Sequence, residues 1–143
     1  MASSPASVLF ACNRNATRSP LAEAIAKHLY GRRLYVDSAG VLPGELDPLA
    51  VAVLAEIGID LSGHRPKMLA EIEGDAFDLV VTLTPQAQHQ AMELTRTSAF
   101  EVEYWPTYDP TAVEGPREAM LEAYRVLRDD LLRRIRARFG EPS

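Results

Sequence analysis

Cys12-Asn13-Arg14-Asn15-Ala16-Thr17-Arg18, followed by Ser19-Pro20, is the part of this sequence best equipped to do chemistry. A thiolate is a nucleophile, and an arginine can grip two oxygens of an oxyanion at once. Arginine is common in the chain, so the spacing alone decides little; the surroundings decide more. Ser7–Ala11 is a short apolar run that reads as a buried strand and delivers the cysteine. Residues 12–18 follow neither a helical nor a strand period and read as a loop. Ser19-Pro20 reads as a hydroxyl cap with proline in the first helical turn. A loop wound between a strand end and a helix start turns its N–H groups inward and makes an anion site at the positive end of the helix dipole. The same setting favours the thiolate form of a cysteine.

Candidate roles follow from this geometry. Cys12 is the nucleophile and Arg18 the oxyanion clamp. Asn13, Arg14, Asn15, Ala16 and Thr17 form the surrounding loop, in contact with substrate. Ser19 has two readings: a hydrogen bond to the sulfur, or plain helix capping. Asn15 sits in mid-loop, where a left-handed backbone is tolerated by asparagine. Arg14 is a second cation, facing either solvent or a negative substrate. Transfer of a phosphoryl group also needs a proton donor for the leaving oxygen. Asp109, in Trp105-Pro106-Thr107-Tyr108-Asp109-Pro110, is the candidate; Trp105 and Tyr108 are expected to exclude water and raise its pKa. The bland reading of Asp109-Pro110 is a turn.

The elements that must position these residues read in simple alternation. A helix runs from Ser19 to Gly31 and a strand from Leu34 to Ser38, ended by Gly40. A helix opens at Asp47-Pro48 with Ala50, Val53, Leu54 and Ile57 inward, closing at Gly58. Phe77–Leu83 is a strand, Thr84-Pro85 opens a third helix, and Glu101–Trp105 is a fourth strand. Arg117–Phe139 is a long helix with Met120, Tyr124, Leu127, Leu131, Ile135 and Phe139 buried and an arginine-rich solvated face. Strands alternating with helices predict a three-layer α/β fold, a four-stranded parallel sheet with helices on both faces and the phosphate-binding loop after the first strand. Ligands in such folds sit beyond the carboxyl ends of the strands. Residues 1–143 read as one domain with a flexible tail at 1–6.

Bulk properties exclude several classes. The chain has 143 residues, 47% apolar and 24% charged, which suits a folded globular domain. A net charge of −5 argues against a general nucleic-acid binder. No apolar run approaches a membrane span of about 20 residues, and the first residues do not read as a secretory signal. One cysteine allows no internal disulfide, which suits a reducing cytoplasm. One cysteine and three scattered histidines predict no metal site, and no cofactor is expected.

Val8-Leu9-Phe10-Ala11-Cys12, Asn15 and Arg18-Ser19-Pro20-Leu21-Ala22-Glu23 resemble the opening of the low-molecular-weight protein-tyrosine phosphatases and the related thioredoxin-coupled arsenate reductases. Asp37-Ser38-Ala39-Gly40 and Asp109-Pro110 are similar to two further motifs of that family. The resemblance implies Cys12 as nucleophile, Arg18 as oxyanion ligand and Asp109 as acid and then base. It also implies Asn15 and Ser38 as braces of the loop, with His64 a second partner of Asn15. The sequence departs from the family's pattern at Arg14, where glycine is usual, at Thr111, where the tyrosine phosphatases carry tyrosine, and at Val41–Gly44, which lacks an aromatic. Asp78-Leu79-Val80-Val81-Thr82 resembles the arsenate reductases, but the cysteines that relay their disulfide are absent. Three activities therefore stand open. The first is a phosphomonoester hydrolase, tyrosine-directed by family default, acting on a phosphorylated protein or a small phosphomonoester. The second is an arsenate reductase using an external thiol, and the third a phosphate-binding module without turnover.

Overall fold

The computed structural model describes residues 5–72 and 76–142. Four strands, β1 (Ser7–Cys12), β2 (Tyr35–Gly40), β3 (Leu79–Thr82) and β4 (Glu101–Tyr104), alternate with four helices, α1 (Arg18–Tyr30), α2 (Pro48–Ala55), α3 (Pro85–Leu94) and α4 (Arg117–Phe139). Every strand pair is parallel and the order is β2-β1-β3-β4. A strand paired on both edges and covered on both faces must be apolar throughout, and β1 is buried along its whole length. Val8, Phe10 and Cys12 pack with Leu21, Ile25, Leu54, Leu127 and Ile135 on the face covered by α1, α2 and α4. Leu9 turns to the other face, with Val80, Phe77 and Ala91 under α3. The expected three-layer arrangement is present.

Local signals place the helix starts. Asp47 accepts from the Leu49 N–H and Thr84 from the Ala87 N–H, each followed by proline. These caps satisfy backbone donors that the helix itself cannot. Other boundaries differ from the sequence reading. The second helix stops at Ala55, and the chain swings through Gly58 at φ 79°, so Ile57 is exposed rather than inward. The third strand is shorter than Phe77–Leu83 because Asp78 turns to other partners: its N–H donates to Ser7 Oγ, and its carboxylate accepts from the Ala6 N–H. Of the tail expected at 1–6, residues 1–4 lie outside the described residues, while Ala6 is tied to Asp78 and to the Tyr35 N–H. Met120 is only half-buried.

The arginine face of α4 is not simply solvated. Arg128 is buried and donates to the Val53 carbonyl and to Glu56 at 2.8 Å. Arg138 pairs with Glu103 of β4 at 2.8 Å, and Arg134 donates to the Pro106 carbonyl. Arginine stems are long and apolar enough to lie across neighbouring elements while their heads reach fixed acceptors. A helical wheel cannot reveal that, because the acceptors lie on other elements.

Parallel register sets the carboxyl ends side by side. Cys12 is level with Gly40, Ala11 with Thr82, and Thr82 with Tyr104. Trp105 N–H then donates to the Thr82 carbonyl and Thr107 N–H to that of Leu83, which carries residues 105–109 toward Cys12. Gly40 is where the loop after β1 passes closest to β2. A Cβ there would stand 2.6 Å from both the Arg14 carbonyl carbon and the Asn15 nitrogen. Since those neighbours are backbone, Gly40→Ala forces the loop to move. We expect it to cost about 1–3 kcal/mol, a drop in Tm of roughly 3–10 °C. Gly63→Ala, where a Cβ meets nothing within 4 Å, is expected to leave Tm unchanged. Scanning calorimetry of the two variants checks both.

Candidate active site

Residues 12–18 form a turn whose backbone is committed outward. The carbonyls of Cys12, Asn13 and Ala16 accept from the N–H groups of Val41, Leu42 and Asp47. In a planar trans peptide the next N–H points the opposite way, so the amides of Asn13, Arg14 and Thr17 face the concave side. The turn is possible because Asn15 adopts φ 52°, the only non-glycine residue with positive φ among the described residues. Asparagine enters that region more readily than most residues.

Asn15 is fully buried, and its side chain fixes the loop at four points. Its Nδ2 donates to Ser19 Oγ at 2.9 Å and to Ser38 Oγ at 2.8 Å. Its Oδ1 accepts from the Lys67 N–H at 3.0 Å and lies 3.0 Å from His64 Nε2. An amide oxygen can only accept, so the histidine carries its proton on Nε2. Burial, the largest influence, and the Lys67 charge hold the His64 ring below the ordinary imidazole value against the pull of Glu23.

Hydroxyl directions follow from these donors. Ser38 Oγ accepts from Asn15 and donates to the buried Glu23 Oε1 at 2.5 Å. Ser19 Oγ also accepts from Asn15 and lies 2.9 Å from Cys12 Sγ, closer than the 3.5 Å to the Ala39 carbonyl; a thiolate can only accept, so with Cys12 in that form the Ser19 hydrogen points to the sulfur. Two relays therefore leave one amide, one ending on a sulfur and one on a carboxylate. Ser19 is not the helix cap: α1 begins at Arg18, and Thr17 before it makes no capping bond through its side chain. Thr17 Oγ1 instead donates to Asp47 Oδ2, which Tyr124 Oη also reaches at 2.6 Å.

A small opening of about 210 Å³ is lined by Cys12, Asn13, Arg14 and Ala16–Arg18 on one side and by Asp109 and Thr111 on the other. Arg18 Nη1 donates to the Thr107 carbonyl and so links the cysteine loop to the loop bearing Asp109. Arg14 Nη1 donates to the Pro43 carbonyl at the rim. Asn13 Oδ1 is buried without a hydrogen-bond partner. A larger groove of about 780 Å³ lies behind the loop, against Glu23 and His64, and holds neither the thiol nor Asp109.

Asp109 differs from the sequence expectation. Desolvation, the largest influence, raises its pKa, but the Thr111 hydroxyl and N–H donate to it, at 2.6 and 3.0 Å, and with the Arg18 charge they bring it below the ordinary carboxylate value. Tyr108 is exposed and does not seal it from water. The residues that sequence reasoning missed are partners rather than reagents. Glu23 stands one helical turn beyond Ser19 on the same face of α1; Thr111 holds Asp109 through a local turn, and Asp47 reaches Thr17 and Tyr124 from far along the chain. A threonine two residues after an aspartate was a readable signal for the Thr111 contact.

A profile of the family described as "Low molecular weight phosphotyrosine protein phosphatase" matches residues 7–139. The chain is 30% identical over 128 residues to a glutaredoxin arsenate reductase of Synechocystis, covering 90% of this chain and 92% of that one. It is 32% identical over 130 residues to an arsenate reductase of Bacillus subtilis, covering 90% and 91%. Among solved structures, a low molecular weight protein tyrosine phosphatase from T. tengcongensis superposes with a TM-score of 0.75 at 30% identity, covering 90% of this chain and 94% of that one.

Replacing Asn15 separates the left-handed turn from its bonds. Asn15→Ala loses both and is expected to be about 1 kcal/mol less stable than Asn15→Gly, which keeps the conformational freedom. Both are expected to fall below wild type by about 2 kcal/mol or more, because buried Ser38, Ser19 and the Lys67 N–H lose their partner. Urea unfolding of the three proteins measures the order; Asn15→Gly as stable as wild type would show the bonds to be dispensable.

Proposed function

The chain belongs to the low-molecular-weight phosphotyrosine protein phosphatase family, and we propose that it hydrolyses phosphomonoesters through a cysteinyl-phosphate on Cys12. One observation carries the reading: Cys12, Arg18 and Asp109 line a single opening of about 210 Å³, with room for a phosphoryl group, and a hydroxyl is hydrogen-bonded to the sulfur. In the first step the Cys12 thiolate attacks phosphorus while protonated Asp109 gives its proton to the departing oxygen. Arg18 and the inward amides hold the three equatorial oxygens, where charge sits in a loose transition state. In the second step water attacks the phosphocysteine, the Asp109 carboxylate takes the water's proton, and the thiolate leaves. Ser19 stabilises the sulfur's negative charge before attack and again on departure. Asn15, Ser38 and His64 act as positioning residues that hold the loop.

Phosphotyrosine is the substrate we assign by family, in the reducing cytoplasm that a lone active-site thiol suits. No helix among the described residues is long and apolar enough to cross a membrane. A second reading has its own support, since both curated relatives above are named arsenate reductases. Here Cys12 would displace water from arsenate to give an arsenylated cysteine. A thiol from outside the chain would then attack the sulfur, releasing arsenite and leaving a mixed disulfide that a second external thiol resolves. Turnover of p-nitrophenyl phosphate, against arsenate with glutathione, glutaredoxin or thioredoxin, decides between the two. Neither activity, with phosphate still bound, would leave a binding module.

The mechanism predicts that Cys12→Ser binds vanadate but loses turnover; wild-type-like rates in that variant would remove the covalent step. Asp109→Asn is expected to slow aryl phosphates with high-pKa phenols by about 10²–10⁴-fold and nitrophenyl phosphate much less. Because the Asp109 carboxyl is held below its ordinary value, its acid form gains as pH falls. The acid-catalysed rate with poor leaving groups therefore falls as pH rises through that pKa, and Asp109→Asn flattens the limb. A plot of log rate against leaving-group pKa at several pH values tests both; the same slope in wild type and variant returns Asp109 to the turn.

A further inference from the structure

The phosphoryl chemistry leaves one cation of the opening unused. Arg18 faces Asp109 across the loop and serves the transferred group, while Arg14 stands on the rim as a second positive charge against a single carboxylate. Arg14 is exposed, yet it is not a loose surface arginine. Its backbone is wedged between two glycines. A Cβ at Gly40 would come 2.6 Å from its carbonyl carbon, and one at Gly44 would come 2.3 Å from its carbonyl oxygen and 2.8 Å from its own Cβ. Its guanidinium is steered by one hydrogen bond, Nη1 to the Pro43 carbonyl at 2.9 Å. A guanidinium has five N–H donors in a rigid fork, so a steered group with donors to spare remains on a residue that lines the opening. In a chain of net charge −5, the long-range field opposes anions, and a fixed cation at the mouth offsets it locally.

We propose that Arg14 is a specificity residue that binds a second anionic group, a carboxylate or phosphate, carried by the substrate next to its phosphoryl group. This deepens the hydrolase reading by naming its substrate class: phosphomonoesters with a neighbouring anion, supplied either by an acidic side chain flanking a phosphorylated residue or by a small phosphorylated carboxylic acid.

Binding tests it without needing turnover. Methylphosphonate and phosphonoacetate share a phosphonate and differ by one carboxylate. Calorimetry on the full wild-type chain is expected to show phosphonoacetate bound roughly threefold to fivefold tighter, the range of an exposed charge pair. That ratio should fall to about one in Arg14→Gln and in about 1 M salt, where screening acts within about 3 Å. Arg96→Gln, which removes the same charge beyond the end of α3, should leave it unchanged. Equal affinities in wild type, or a preference that survives Arg14→Gln, overturns the proposal. A failure of the hydrolase reading shows separately, as absent turnover with this ratio intact. The source of the anion is read from kcat/KM for phosphotyrosine peptides with Asp or Asn beside the phosphorylated residue. An Arg14-dependent preference for Asp assigns a protein segment, and its absence, with the phosphonate ratio intact, assigns the small phosphorylated acid.

Discussion

Asn15 reaches four partners from a backbone conformation that most residues avoid. The left-handed turn reverses the chain within seven residues, so that Cys12 at the end of β1 and Arg18 at the start of α1 face one opening. Left alone, such a turn would be strained. Bonds to Ser19, Ser38, the Lys67 N–H and His64 over-determine it. The two serine bonds are buried and the other two partly so, and in such surroundings a satisfied network is rigid and an unsatisfied one is costly. The same amide directs both serine hydroxyls, so the loop's shape and the donor at the sulfur are set by one side chain.

That network is electrostatically asymmetric. One relay ends on Cys12 Sγ and the other on Glu23, which Lys27 meets at 2.7 Å. A buried carboxylate needs such a partner, because an unpaired charge in that position would be far more costly than the bridge is worth. Glu23 thus accepts the Ser38 proton, leaving the Asn15 amide free to donate to both serines. The Ser19 hydrogen then has the sulfur as its nearest acceptor. The front of the loop carries the opposite balance, two guanidiniums and one carboxylate in a chain that is otherwise acidic.

Helix α4 brings the proton-donor side to this loop. Tyr124 and Thr17 share the Asp47 carboxylate, which fastens the start of α2 to the cysteine loop and to α4 together. Arg134 and Arg138 hold Pro106 and Glu103, the two ends of the stretch that leads to Asp109. Arg18 completes the circuit through the Thr107 carbonyl. The loop bearing Asp109 is therefore positioned by arginines from two helices rather than by burial, so its carboxyl remains exposed, while the two Thr111 bonds and the Arg18 charge hold its pKa low.

Much of this was legible in the chain. Alternating apolar runs and capped helix starts specified a parallel α/β sheet, since strand period, proline position and Asp or Thr caps act over a few residues. The same locality made the Cys12–Arg18 loop readable and allowed Asn15 its left-handed turn. Ser38 and His64 entered only by family resemblance, because no local rule joins residues so far apart. Other features depended on which elements end up adjacent. Glu23 stands in the chain only as the last residue of the family-like opening, and its burial follows from α1 packing beside β2. Asp109 reads as an acid raised by aromatics until Thr111 and Arg18 surround it and Tyr108 turns outward. Arg128, Arg134 and Arg138 read as a solvated face until β4 and α2 supply their acceptors. Short-range sterics and hydrogen bonding determine the elements from sequence. The charge state and partners of each polar group are decided by neighbours distant in the chain, and only tertiary packing brings those within the few ångströms over which hydrogen bonds and desolvation act.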